Sequence, residues 1–238
     1  MKMNLWLALP AALTALAVSQ PASAAVVAYT YNGVVDFGAD DFGLFGDPGA
    51  SLTGASFTAV FYRDDALALP ENIFLGEVNS SVTGEGEFAP VSAKLTIAGV
   101  TLDIGGLFGE QNQFDDGFFE GFRHTAQGLG GSLDFTGNTF GTFAPTAGNV
   151  LAGPDYHTLT SLSGPSLSGF SMFGTFEFRT PDAPGQRTFA NFNPTSLTVS
   201  PDPAGPAAVP EPSAWALMIL GFGGVGATLR RRRALAFA

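Results

Sequence analysis

Polar and apolar residues alternate with a period of two through much of the chain between residues 25 and 200. The alternation is clearest in residues 56–62, 170–179 and 196–200, where every second residue is predominantly apolar. Successive side chains of a strand point to opposite sides of the sheet, so this period is typical of strands with one buried face. The pattern therefore predicts β structure, with Leu197 and Val199 among the buried positions.

Residues 93–104 predict the best-defined local element, a β-hairpin whose two-residue turn is Ala98-Gly99. Apolar pairs then share one face of the hairpin, and a threonine pair and an ion pair share the other. The predicted pairs are Ile97 with Val100, Leu95 with Leu102, Ala93 with Ile104, Thr96 with Thr101, and Lys94 with Asp103. A second hairpin is predicted around Gly137-Asn138, with Thr136 paired to Thr139 and Phe135 to Phe140.

About eight to ten such segments, separated by glycine and proline, predict a mainly β fold. We expect residues 25–200 to form a single antiparallel domain resembling a β-sandwich or jelly roll. A β-solenoid is the alternative, but the chain shows no fixed internal repeat. Residues 105–131 look irregular and predict a long loop or a short helical turn. Residues 201–209 are rich in proline and predict a semi-rigid linker.

The N-terminal residues 1–24 have the character of a secretory signal peptide. Lys2 is their only charge, an apolar run follows it, and Ala22-Ser23-Ala24 supplies the small residues that signal peptidase requires. Cleavage is predicted between Ala24 and Ala25. The general secretion machinery and signal peptidase are therefore predicted partners, with residues 1–24 forming the signal helix.

The C-terminal region contains an uncharged run of 15 residues, 215–229. As a helix it would be roughly 22 Å long, against a bilayer core of about 30 Å. The run is therefore short for a permanent span and predicts a membrane helix that is used transiently. A basic stop follows it and is expected to stay in the cytoplasm. The stop consists of Arg230, Arg231, Arg232 and Arg233, with a short tail at residues 234–238.

The motif that precedes the apolar run is Pro210-Glu211-Pro212, with Trp215-Ala216 following at fixed spacing. Together with the apolar run and the arginines, it resembles the PEP-CTERM sorting signal, in the variant with Trp-Ala three residues after Pro-Glu-Pro. The resemblance covers residues 210–233. It implies a substrate of an exosortase, a membrane-embedded cysteine transpeptidase of Gram-negative bacteria that process extracellular polysaccharide, with cleavage close to the motif.

Glycines in the membrane run match the dinucleotide-binding spacing G-x-G-x-x-G, through Gly221, Gly223 and Gly226. No strand precedes them and they lie inside the apolar run, so we reject nucleotide binding. Small residues at these positions instead allow a helix to approach a partner closely, which would suit docking in a transpeptidase.

Net charge narrows the classes of partner. Residues 25–209 carry five basic and 20 acidic residues, a formal charge of −15, compared with −11 for the whole chain. This charge argues against nucleic acid or anionic lipid as a partner. The absence of cysteine from the sequence excludes disulfides and a lipid-modified N-terminal cysteine, so stability must come from an apolar core.

Candidate chemistry is sparse. His124 and His157 lie in no recognisable catalytic or metal-binding motif, and the sequence contains no G-x-S-x-G elbow. Aspartates interleaved with glycine suggest a calcium loop, although their spacing matches no EF-hand and ordinary turn chemistry explains them better. These candidates are Asp36, Asp40, Asp41 and Asp47. The pairs Asp64-Asp65 and Asp115-Asp116 predict solvated turns.

The sequence thus predicts an exported, non-enzymatic protein that passes through the inner membrane to the cell surface or extracellular matrix. No metal or other cofactor is expected unless the aspartate loop binds calcium. Extracellular polysaccharide is a candidate partner. A carbohydrate-binding module or adhesin is the main alternative. A secreted hydrolase is a weaker one, because no nucleophile or metal motif is present.

Overall fold

The computed structural model describes residues 26–116, 119–139, 151–163 and 170–201, all within one compact unit, Ala24–Gly205. These residues form antiparallel strands and three short 3₁₀ helices, Pro70–Asn72, Gly86–Phe88 and Tyr156–Thr158. The strands are β1 (Val27–Asp40), β2 (Ala50–Ser51), β3 (Ser56–Arg63), β4 (Ile73–Leu75), β5 (Asn79–Glu85), β6 (Val91–Ile97), β7 (Val100–Ile104), β8 (Gly106–Asp115), β9 (Glu120–Gly128), β10 (Gly131–Thr139), β11 (Leu162–Ser163), β12 (Phe170–Phe178) and β13 (Thr188–Pro201).

The strands of the described residues join into one 13-stranded sheet in the order β4-β5-β8-β9-β10-β12-β13-β1-β3-β6-β7. Strand β2 pairs with β1, and β11 pairs with β13. The predicted mainly antiparallel β fold is confirmed. The sheet is continuous and curls into a half-barrel, which brings its two halves towards each other. Among the described residues no helix is long and apolar enough to cross a membrane.

Strands β1 and β13 form the spine of the curl. Each has 14 residues, and they pair from Val27 with Pro201 to Asp40 with Thr188. The register shifts near Gly33 and again before Phe37, and such bulges bend a strand and increase its twist. Pro201, the first residue of the predicted linker, is the last residue of β13, while residues 202–209 lie outside the described residues.

Aromatic side chains fill the inside of the curl. The ring of Tyr31 on β1 lies 4.5 Å from that of Phe135 on β10 and 6.5 Å from that of Phe122 on β9, measured between ring centroids. Phe57 on β3 lies 5.7 Å from Phe135. Strands β1 and β3 are not sheet neighbours of β9 and β10, so these contacts hold the two halves together. Such aromatic pairs contribute about 0.5–1.5 kcal/mol beyond the apolar area they bury.

The predicted hairpin over residues 93–104 is confirmed, with all five pairs in the expected register between β6 and β7. The hydroxyls of Thr96 and Thr101 lie 2.8 Å apart, and the Lys94–Asp103 ion pair measures 3.6 Å. The turn has positive φ at both central residues, 50° at Ala98 and 87° at Gly99, as a type I′ turn requires. One apolar member of the hairpin, Val100, is exposed rather than buried.

Two other local predictions were wrong. Gly137 and Asn138 do not form a turn; they lie within β10 and pair with both β9 and β12. Residues 105–131 are not an irregular loop, because β8 and β9 form a paired hairpin there. Phe140, the remaining member of the predicted second hairpin, lies outside the described residues.

Candidate functional site

Polar side chains meet inside the curl around Arg63, the last residue of β3. The side chain of Arg63 is buried, and its Nη1 donates to the Tyr29 hydroxyl at 2.6 Å, to Gln111 Oε1 at 3.2 Å and to the Tyr156 carbonyl at 3.1 Å. Its guanidinium also lies over the Tyr156 ring, 4.9 Å from the centroid. A buried arginine is tolerated only where its charge and donors are satisfied, and this one has several partners.

A chain of ionisable groups leads from Arg63 to the surface. Arg63 Nε lies 3.1 Å from Asp65 Oδ1, an ion pair without hydrogen-bond alignment. Asp65 Oδ2 is 3.0 Å from His157 Nε2, and His157 Nδ1 is 2.7 Å from Asp155 Oδ1. Burial raises the pKa of Asp155, but hydrogen bonds and charge from His157 outweigh it and bring the pKa below its usual value. Asp65 is therefore not the solvated turn residue predicted from the sequence, since its side chain is only 15% exposed.

The second buried polar centre is His124 on β9. Its ring is fully buried, and Nδ1 lies 2.7 Å from the hydroxyl of Tyr31. Burial, assisted by the charge of Arg63, lowers the pKa of His124 to about 3, so the ring is neutral at physiological pH. Burial also raises the pKa of Tyr31 well above its usual value. Nε2 of His124 is buried without a hydrogen-bond partner among the described residues.

Side chains of β5 and β8 hold the backbone of residues 153–156 against the sheet. Ser80 Oγ donates to the Pro154 carbonyl at 2.6 Å and accepts from the Tyr156 backbone N–H at 2.7 Å. Gln113 Nε2 donates to the Gly153 carbonyl, and Gln111 Nε2 donates to the Tyr156 carbonyl at 3.3 Å. These polar groups satisfy carbonyls that would otherwise be buried without partners. The arrangement is an internal clamp on the chain.

The aspartates proposed from the sequence as calcium ligands have separate environments. Asp40 is fully buried at the end of β1, and its carboxylate accepts the backbone N–H groups of Leu44 at 2.8 Å and Phe45 at 2.7 Å. It also accepts the Thr188 hydroxyl at 2.8 Å. These contacts fix the loop that follows β1, because the carboxylate satisfies backbone donors that the loop leaves unpaired.

The other three aspartates, Asp36, Asp41 and Asp47, do not share the environment of Asp40. Asp41 Oδ2 accepts the Arg187 backbone N–H at 2.9 Å, whereas Asp36 and Asp47 are exposed. Within the described residues, no group of three or more acidic, histidine or cysteine side chains is placed to hold a metal ion. Calcium binding by these residues remains a prediction.

Sequence reasoning missed the Arg63 centre, although the pattern contained a signal for it. Phe57, Ala59 and Phe61 face inward on β3, and the same alternation puts Arg63 on the inward face. An inward-facing arginine needs buried partners. Its hydrogen-bond partners Tyr29, Gln111 and Tyr156 come from distant parts of the chain, so only the fold reveals them.

The predicted sorting residues lie outside the described residues. They are Pro210, Glu211, Pro212, Trp215, Ala216, Gly221, Gly223, Gly226, Arg230, Arg231, Arg232 and Arg233. The predicted signal-cleavage residues Ala24 and Ala25 also lie outside them.

The chain consists of a mainly antiparallel β domain and a C-terminal segment, and the motif in that segment indicates its class. Residues 208–233 match the family model of the PEP-CTERM protein-sorting motif, which confirms the resemblance found in the sequence. The motif supports export of the protein, C-terminal membrane-anchored sorting and processing by an exosortase. No curated protein and no solved structure matches the chain significantly.

Proposed function

We propose that this protein is a non-enzymatic structural or interaction module that an exosortase delivers to the cell surface or extracellular polysaccharide layer. The observation that carries the proposal is the sorting motif at residues 208–233. In this account, the membrane helix predicted at residues 215–229 holds the chain in the inner membrane until the exosortase cuts near Pro210-Glu211-Pro212. The β domain is the cargo.

The internal contacts of the buried polar groups support a non-enzymatic role. Gln111 and Arg63 bind the Tyr156 carbonyl, and Tyr31 bonds His124, so these groups serve the packing of the domain. A general base must reach a substrate proton within hydrogen-bond distance, and the fully buried ring of His124 is poorly placed for that.

The test is to replace Pro210, Glu211 and Pro212 with alanine in the producing cells and to follow the protein by membrane fractionation. We expect the variant to accumulate in the inner membrane with its C-terminal tail intact. Alanine replacement of Pro203 and Pro206, which lie outside the motif, is the matched control and should leave processing normal. Release of the motif variant at the normal rate would refute exosortase sorting through this motif.

A carbohydrate-binding role is the second candidate, and one observation favours it. Several phenylalanine rings are exposed on the β domain, including Phe37 and Phe173, whose side chains are 57% and 44% exposed. Exposed aromatic rings grouped on one side of a sheet can form the apolar part of a binding surface.

A further inference from the structure

The outward side of β12, β13 and β1 carries exposed aromatic rings and uncharged polar groups side by side. We call this surface the outer face. The strands present it because their buried residues, such as Phe176 and Phe192, alternate with exposed ones. The outer face consists of Phe173, Thr175, Asn191, Asn193, Val34 and Phe37.

Strand register fixes how these side chains are arranged. Phe37 pairs with Asn191, and Asn191 pairs with Thr175, which makes one row across three strands. The second row contains Val34 and its partner Asn193. Phe173 completes this row, because it lies one residue before Gly174, and Gly174 pairs with Phe192. Each row therefore has an aromatic ring at one end and an asparagine in the middle.

The two rings lie diagonally across the outer face. They are separated by two strand spacings of about 4.8 Å and two residues of about 3.4 Å rise, or roughly 12 Å in all. A linear polysaccharide could place one sugar ring on Phe173, another on Phe37 and a third over the amides between them. The C–H face of a sugar ring stacks on an aromatic ring, and its hydroxyls bond to amides.

The polar groups of the outer face are available to such a ligand. Neither the Asn191 nor the Asn193 side chain has a side-chain hydrogen bond to another protein group in the part of the chain that the structure describes. Each amide offers two donors and an acceptor, which matches the mixed donor and acceptor character of sugar hydroxyls.

The charges on and around the outer face indicate which class of polysaccharide fits it. None of the six side chains of the outer face ionises, and the neighbouring Asp134 is paired with Arg123. Glu177, two residues after Thr175 on the same side of β12, is paired with Arg179 and Arg187. Asp36, the extra residue at the bulge in β1, adds a negative charge at the rim. The domain itself is strongly acidic, so a polyanion would be repelled. We propose that the outer face binds a neutral polysaccharide chain, a conclusion that rests on the proposed role of the domain as an interaction module.

Affinity gel electrophoresis of the full chain tests this directly. The protein is run in a non-ionic detergent without a sugar headgroup, through native gels that contain dextran, hydroxyethyl cellulose or laminarin, and separately alginate as an acidic polymer. We expect at least one neutral polymer to retard the protein and alginate not to retard it. Retardation by alginate alone, or by none of the neutral polymers, would overturn the proposal.

Variants locate the binding surface. Phe173→Ala and Phe37→Ala should each weaken binding about fivefold, since stacking of one ring is lost. Phe173→Tyr keeps a ring and should retain binding. Phe74→Ala removes a similarly exposed ring, 53% exposed, from the edge strand β4 and is the matched control. Equal weakening by Phe74→Ala, or no effect of either outer-face variant, would show that this face is not the site.

Two further readouts separate this proposal from the proposed function. New reducing ends in the polysaccharide after incubation would contradict the non-enzymatic role but leave binding at the outer face intact. Size measurement of wild type and Phe173→Ala shows whether the face instead joins two copies of the chain. A dimer that Phe173→Ala dissociates, without polysaccharide binding, would overturn the proposal.

Discussion

Acidification should destabilise the β domain through His124. The unfolded chain binds a proton on this histidine with a pKa near 6.5, whereas burial lowers the pKa in the folded protein to about 3. Between these values the unfolded state binds the extra proton, so the free energy of unfolding must fall as the pH falls. The stability linked to the neutral His124 ring is fully present above about pH 6.5 and is lost progressively as the pH falls towards about 3.

The magnitude follows from the size of the shift. Each unit of pH in this window costs about 1.4 kcal/mol for one group. At pH 6.5 the unfolded histidine is already half protonated, so from pH 6.5 to about pH 4.5 the loss is about 2 kcal/mol, a substantial part of the 5–15 kcal/mol of stability that is typical of a folded domain. Carboxylates also titrate in this range, so a reference protein that lacks only His124 is needed.

His124→Gln provides that reference. Glutamine does not ionise, and its Oε1 can accept the hydrogen bond of Tyr31. The variant loses the ring contacts of His124 with Tyr29 and Phe61, whose centroids lie 4.4 and 5.4 Å away. We therefore expect it to be less stable than wild type by about 1–3 kcal/mol near neutral pH.

Urea unfolding followed by the near-ultraviolet circular dichroism of tyrosine gives the free energy of unfolding for both proteins. The gap between wild type and His124→Gln should shrink by about 2 kcal/mol from pH 6.5 to about pH 4.5, because only wild type has the titrating ring. A gap that stays constant over this range would refute a neutral, buried His124. A gap that widens in acid would refute the sign of the argument.

Three further substitutions test the fold, each measured by urea unfolding. Asp40→Asn should cost about 1–3 kcal/mol, because an amide cannot accept from every donor that the carboxylate serves. Arg63→Met should cost about 3–5 kcal/mol, because it leaves the largely buried Asp65 without its cation; no loss of stability would refute that pairing. Gly33→Ala should cost about 1–3 kcal/mol, since its Cβ would lie 2.2 Å from the Asn193 carbonyl oxygen; an unchanged midpoint would contradict that close approach.

Segments with regular alternation were the predictable part of the fold. Residues 56–62 and 170–179 form strands with Phe57, Phe61 and Phe176 buried, as expected. The 93–104 hairpin was predictable to the residue because its pairing sorts apolar, threonine and charged partners at once. In each case the buried face is filled by apolar side chains from the segment itself.

Strand β8 could not be predicted, because its inward face is polar. Gly109, Gln111 and Gln113 occupy the buried positions where an ordinary strand would have apolar residues. Gly109 allows a close approach to the Val91 backbone, whereas Gln111 donates to the Tyr156 carbonyl and Gln113 to the Gly153 carbonyl. Those partners are distant in sequence, so no local pattern reveals the strand. Gly137-Asn138 led to the opposite error. A dipeptide common in turns predicted a hairpin, but it lies inside a central strand.

The candidate sites also differed in how far the sequence could predict them. The sorting motif was predictable because its residues are contiguous and their order carries the function. The Arg63–Asp65–His157 chain and the outer face were not, because long-range strand pairing and packing bring their members together.

The most direct test of the account is the intact mass of the protein recovered outside the producing cells. Exosortase sorting predicts a chain that begins at Ala25, ends near Pro210-Glu211-Pro212 and lacks the basic stop that starts at Arg230. A recovered chain that still carries Arg230 and the residues after it would contradict the account.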